Sequence, residues 1–278
     1  RDLHLSIRRQ RQMCIRDSLY TMRDLPAAQN YYARALHICK QQLGLSHPFT
    51  AVILDNLGAL FQAIEDLSTA KAYYEEALNI REQALGPNHP DTAFSLNNLG
   101  TLLDHIGDWQ TARSYYERAL AIFEQELDPW HPNTATCLNN LGYLLQNRGE
   151  LQEACLYYER ALAINERVLG LSHPDTARSL NNLGMLLHAL GKLQECHSYI
   201  ERALAIREQT LGPLHPDTAT SFNNMAVLLH TMGKIQAASF YLKRALMIFE
   251  QTFGLNHPTT NQCRADYHYL IQLLNEQQ

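Results

Sequence analysis

The sequence predicts an all-α solenoid of antiparallel helix pairs. Three observations carry that reading: one spacing that repeats without slippage, apolar residues at helical intervals inside each period, and turn signals at fixed places in it. His-Pro recurs at His47-Pro48, His89-Pro90, His131-Pro132, His173-Pro174, His215-Pro216 and His257-Pro258, each step being 42 residues. A constant period of this size marks supersecondary units stacked in a row.

The copy that begins at His89 shows how each element arises. Pro90 suits a first helical turn, where its missing N–H would have had no partner. Asp91 adds a carboxylate at the positive end of the helix dipole. Ala93, Leu96, Leu99, Leu102 and Leu103 then fall on one stripe. Gly107 breaks the helix. A second helix is expected from about Asp108 through Glu126, with Ala112, Tyr116, Ala119, Leu120 and Phe123 facing inward. A short loop carrying Gly or Pro leads to the next His-Pro. Two helices of this size cannot bury their apolar faces alone, so neighbouring copies must stack. The units are expected at about residues 6–47, 48–89, 90–131, 132–173, 174–215 and 216–257, followed by a terminal helix over 258–275.

Composition narrows the function. Apolar residues make up 46% of the 278 and charged residues 18%, ample for a packed core. The net charge is −5, and no basic stretch occurs outside the extreme N-terminus. That argues against a nucleic-acid ligand, which needs clustered Lys and Arg. No run of about 18 apolar residues is present, so no membrane span is expected. The six cysteines, Cys14, Cys39, Cys137, Cys155, Cys196 and Cys263, form no C-x-x-C pair and suggest no disulfide framework. Most of them stand where other copies carry small residues, Cys137 and Cys263 matching Ser95 and Cys196 matching Ala112. A reduced, cytoplasmic setting is expected. With no signal peptide and no initial Met, the chain reads as a fragment of a longer product.

Leu96, Leu99 and Gly100 in the first helix, with Ala112, Tyr116 and Ala119 in the second, resemble the tetratricopeptide repeat. The Leu-Asn-Asn-Leu and Tyr-Glu-Arg-Ala-Leu-Ala-Ile stretches and the Leu-Gly-x-x-His-Pro-Asp-Thr loop, as from Leu169 to Thr176, are similar to its long form in kinesin light chains and many bacterial repeat proteins. The resemblance covers roughly residues 19–275. The chain departs from the ordinary form in having Leu96 where an aromatic often sits, and in lacking the Pro that usually ends the second helix. The resemblance implies a right-handed superhelix whose first helices line a concave groove for a protein or peptide ligand.

Both ends leave the pattern. Residues 19–44 align with 61–86, but upstream Met13-Cys14-Ile15-Arg16 stands where other copies read Asn-Asn-Leu-Gly. The string from Met13 to Ser18 resembles one reading frame of a sequencing-library adapter, so residues 1–18 read as foreign to the repeat. The alternative is a divergent capping helix. At the other end, Ala265-Asp266 replaces the Asn pair.

Chemistry-bearing residues mostly follow the repeat. The six periodic histidines invite a metal reading, but equivalent side chains on stacked helices lie roughly 10 Å apart. Zinc needs its ligands about 2 Å from one centre. The histidines therefore read as structural, no metal or cofactor is expected, and no catalytic motif such as a P-loop, H-E-x-x-H or G-x-S-x-G is present. One tyrosine of each pair, as in Tyr115-Tyr116, is expected in the core and the other at an edge. The asparagines need another reason, since Asn is a middling helix former. Asn56, Asn98, Asn140, Asn182 and Asn224 are strictly periodic, and Asn97, Asn139, Asn181 and Asn223 stand beside four of them. An inter-repeat hydrogen-bond ladder is one reading. The resemblance implies the other, an amide grip on the backbone of an extended peptide. Neighbouring positions vary: Ala59, Thr101, Tyr143, Met185 and Val227 one turn on, then Gln62, Asp104, Gln146, His188 and His230. Nearer the helix start stand Phe94, Thr136, Arg178 and Thr220. A constant frame with a varied lining suits a binding groove.

A non-enzymatic protein-interaction scaffold is therefore expected, with a protein or peptide partner and possible contacts to other domains of a longer chain. Two alternatives stay open: the sensor portion of a larger signalling protein with a nucleotide-binding switch, and a cargo adaptor like kinesin light chain.

Overall fold

The computed structural model describes residues 25–276, and twelve helices occupy them. The expectation for residues 1–18 falls outside the described residues. The chain divides into two compact units between Pro129 and Trp130. In the first, α1 (Leu25–Gln42) packs on α2 (Pro48–Ala63), α2 pairs with α3 (Leu67–Leu85), and α4 (Pro90–Ile106) pairs with α5 (Trp109–Glu126). In the second, α6 (Pro132–Asn147) pairs with α7 (Leu151–Val168), α8 (Pro174–Ala189) with α9 (Leu193–Thr210), and α10 (Pro216–Thr231) with α11 (Ile235–Thr252). The terminal α12 (Pro258–Glu276) packs on α11. These are stacked helical hairpins, a helical repeat solenoid as the period predicts.

The periodic histidines start the first helices. Nδ1 of His89 accepts the Asp91 backbone N–H at 3.0 Å, and Nδ1 of His131, His173 and His215 accepts the N–H two residues on at 3.1 Å. His47 and His257 do the same for Phe49 and Thr259. Each ring thus satisfies one of the orphan donors of a helix N-terminus. An accepting Nδ1 puts the ring proton on Nε2. Proline follows at once, where it costs no hydrogen bond.

A threonine closes the same corner. The hydroxyls of Thr50, Thr92, Thr176 and Thr218 donate to the carbonyls of Gly44, Gly86, Gly170 and Gly212 at 2.8–3.1 Å. Those glycines hold φ near +90°, where a side chain is strained. The loop before α6 breaks the rule, with Asp128 at the glycine position. There α5 ends at Glu126, Leu127 is extended, and the buried Thr134 hydroxyl has no hydrogen-bond partner. The division between the two units falls at this loop.

Inside a hairpin the helices meet at a bare backbone. A Cβ on Gly58, Gly100 or Gly142 would sit 2.7–2.8 Å from the ring of Tyr74, Tyr116 or Tyr158, and one on Gly184 would sit 2.8 Å from Ile200. The hairpin of α10 and α11 has Ala226 and Leu242 at the equivalent positions, both buried. There the first helix carries a Cβ, and the second helix presents leucine rather than a tyrosine ring.

Between hairpins, a polar clasp joins a second helix to the next first helix. Arg81 Nη1 lies 2.5 Å from Asp55 Oδ2 and donates to the Ser95 hydroxyl. Asn165 donates to the Ser179 hydroxyl at 3.0 Å, and Arg207 to that of Ser221 at 2.8 Å. Where the second helix carries Phe249, the residue fourteen on is Cys263, and both are buried. Successive second helices are also joined at the surface by Arg118–Glu82, Arg202–Glu166 and Arg244–Glu208, and Lys40–Glu76 joins α1 to α3 in the same way. Half-exposed pairs of this kind contribute up to about 1 kcal/mol each.

Gly142→Ala is expected to destabilise the second unit by about 1–3 kcal/mol through overpacking. Adding Tyr158→Leu, which copies the Ala226 and Leu242 pair, should recover a large part of that loss. Denaturant midpoints of the two variants test this, and a double variant no better than the single one contradicts it.

Candidate binding face on the first helices

The two members of each asparagine pair lead different lives. Asn97, Asn139 and Asn181 are buried, while Asn56, Asn98, Asn140, Asn182, Asn223 and Asn224 are half-buried. Asn139 donates through Nδ2 to the Ala135 carbonyl at 3.0 Å and to the Ser179 hydroxyl at 2.9 Å. Its oxygen accepts from Asn182 Nδ2 at 3.3 Å. In the first unit Asp55 occupies the inner position, with its carboxylate against the Arg81 guanidinium. Burial pushes the Asp55 carboxyl up from its ordinary value, and the Arg81 guanidinium pulls against that shift. The ladder lapses at Asn181, whose buried oxygen has no partner. Asn139 is therefore a rung between neighbouring first helices, and the outer column keeps part of its surface in solvent.

The varied positions surround that outer column. Tyr143 is 54% exposed, and Met185 and Val227 are half-buried. Thr101 is exposed and accepts the Tyr116 hydroxyl at 3.1 Å. Gln62 and Gln146 accept the hydroxyls of Tyr74 and Tyr158 at 3.3 and 3.2 Å, so one tyrosine of each pair is core and still reaches this face. His188 Nε2 lies 2.8 Å from the Thr231 hydroxyl, and the His230 ring stands edge-on to Tyr269 at 5.9 Å. Arg178 is tied down, donating to Thr136 at 3.4 Å and lying 3.5 Å from Asp175. Asp104 is half-buried; desolvation pushes its carboxyl up, and His105 opposes the shift.

Sequence reasoning missed one feature of this face. Leu43, His47, Pro48, Phe49, Val52 and Asp91 line a hollow of about 400 Å³. Phe49 was its signal, standing where other copies carry Asp91, Asn133, Asp175, Asp217 and Thr259. Chemically the face offers amides, phenol and imidazole edges, and apolar patches. Among the described residues no three His, Cys, Asp or Glu side chains are grouped to hold a metal ion. No helix among them is long and apolar enough to cross a membrane.

Such a face on stacked hairpins defines a class, the helical repeat scaffold. A tetratricopeptide repeat model matches residues 17–83, 66–125, 105–154, 133–208 and 180–251, and the chain belongs to that family. It is similar to the crystal structure of BtubC (BKLC) from P. vanneervenii, with 28% identity, TM-score 0.65, and 85% of this chain and 93% of that one covered. It is also similar to nearly identical TPR-like repeats of a kinesin light chain from Podosopora anserina, with 26% identity, TM-score 0.59, and 74% and 98% covered. A point-substituted form of those repeats gives 26% identity, TM-score 0.60, and 74% and 97% covered. No curated protein matches the sequence. Tetratricopeptide repeats are generally protein-interaction scaffolds and typically non-enzymatic.

Asn139→Ala should cost about 1–3 kcal/mol, because it removes the buried bonds to Ala135 and Ser179 and takes away the acceptor of Asn182 Nδ2. Asn224→Ala, on the outer column, should stay within about 0.5 kcal/mol. Equal losses in urea unfolding would contradict the division of roles.

Proposed function

We propose that this chain is a non-catalytic scaffold that holds an extended segment of another protein along the first-helix face, the concave side implied by the family. The half-buried outer asparagines carry the reading, because an amide matches both the donor and the acceptor of a peptide backbone. On the inner column, Asn139 is a ladder rung. Joining it takes one N–H of Asn182, and part of that side chain still faces solvent. Tyr143, Met185, Asp104, His188 and His230 vary around the outer column and would set which side chains are accepted. The ligand is read as protein rather than nucleic acid, because Arg118, Arg202 and Arg244 are engaged with carboxylates on the second helices. A cytoplasmic setting fits the free cysteines, with burial pushing the Cys196 thiol up to about 11 and that of Cys263 to about 12, as inert core residues.

A second reading, a cargo adaptor of the kinesin-light-chain kind, is favoured by the similarity to the Podosopora anserina repeats. A heptad coiled coil upstream in the complete gene would support it.

Selection of a random displayed dodecapeptide library against the protein tests the main reading. Replacing Asn98, Asn140 and Asn182 together with Ala should weaken the selected peptides at least about tenfold, the loss of one or two backbone hydrogen bonds. Circular dichroism should stay unchanged. Loss of the helical signal, or unweakened binding, would contradict the reading.

A further inference from the structure

The first-helix face of the first unit has a charge and a shape that the repeat does not dictate. Helices α2 and α4 contain no Lys or Arg; their Asp side chains are Asp55, Asp91 and Asp104. Asp55 is neutralised by Arg81. The remaining two carboxylates form no ion pair among the described residues, whereas the counterpart of Asp91 in the second unit, Asp175, has Arg178 at 3.5 Å. Lys40, Lys71, Arg113 and Arg118, on the second helices and α1, are each paired with a glutamate. Asp104 sits in a column otherwise filled by Gln62, Gln146, His188 and His230. It is partly desolvated, with only the neighbouring His105 opposing the cost.

Asp91 is also the one carboxylate lining the hollow of about 400 Å³, whose other walls are Leu43, His47, Pro48, Phe49 and Val52. Phe49 is 43% and Leu43 47% exposed, which leaves apolar surface open to a partner. A cavity of this size admits one large side chain or a few small ones.

We infer that the partner segment is basic: an apolar side chain seats in the hollow beside Phe49 and Val52, a neighbouring Lys or Arg meets Asp91, and a second cation meets Asp104. This rests on the proposed use of the first-helix face and adds the chemistry of the ligand. Charge complementarity favours the basic segment over an acidic one, since a carboxylate near Asp91 or Asp104 meets repulsion with no Lys or Arg on α2 or α4 to offset it.

The test uses fluorescein-labelled dodecapeptides in a Gly-Ser background. Each carries one Phe or Leu anchor flanked by Lys, by Ser or by Asp, and fluorescence polarisation reads binding to the full chain. The Lys-flanked peptides should bind about tenfold tighter than the Asp-flanked ones. They should weaken several-fold as NaCl rises from about 50 to 200 mM. Asp91→Asn should remove most of the preference and Asp104→Asn part of it, while Asp217→Asn in the second unit leaves it intact. Phe49→Asp, which copies the residue type of other repeats, should abolish anchoring with circular dichroism unchanged. Equal or tighter binding of the Asp-flanked set, or a preference that survives Asp91→Asn, overturns the inference. So does failure of the Lys-flanked set to bind while library-selected peptides bind the same face. If the library yields no peptide sensitive to the outer asparagines, the proposed function itself fails.

Discussion

Everything in this fold depends on how closely the two helices of a hairpin approach. Gly58, Gly100 and Gly142 leave no Cβ in the way, so the rings of Tyr74, Tyr116 and Tyr158 lie directly on the first-helix backbone. That contact sets the depth of each hairpin. It also sends each phenol hydroxyl through to Gln62, Thr101 or Gln146 on the opposite face. A core contact thus fixes side chains on the candidate binding face. Ala226 with Leu242 shows that the requirement is for complementary volume rather than for one residue type.

Stacking follows from a second set of contacts, and these divide what was legible in the sequence from what was not. The helices, their starts at His-Pro, the Ala, Leu and Tyr core and the fate of the paired tyrosines all follow from period and local chemistry. The clasps of Arg81 with Ser95, Asn165 with Ser179, and Arg207 with Ser221 do not, because they join residues on different hairpins whose register is set only once the units stack. The same holds for the asparagine pairs. Sequence alone gives two adjacent columns of one residue; packing makes Asn139 a ladder rung and leaves Asn182 half in solvent.

The histidines illustrate a residue type whose periodicity misleads if read as chemistry. Spacing alone removes a shared metal, but not the atom that acts; the structure supplies it, Nδ1 accepting a backbone N–H at each helix start. Asp128 is the opposite case. It is one changed residue in a regular loop, and with it go the positive-φ glycine and the threonine hydrogen bond that secures four other corners. Departures from a repeat carry more information than its constant part, and Phe49 is a second example, lining a hollow in the first unit where other copies carry Asp, Asn or Thr.

With the inner asparagines committed to the frame, the central claim is that the outer ones face the ligand. Side-chain amide resonances of the two columns report on this separately, in a 15N-labelled chain titrated with the Lys-flanked Phe dodecapeptide. The account predicts that the Nδ2 protons of Asn56 and Asn98 shift with saturation while that of Asn97 holds still. Shifts confined to second-helix residues such as Glu75 and Glu117, or equal movement of both columns, would contradict it.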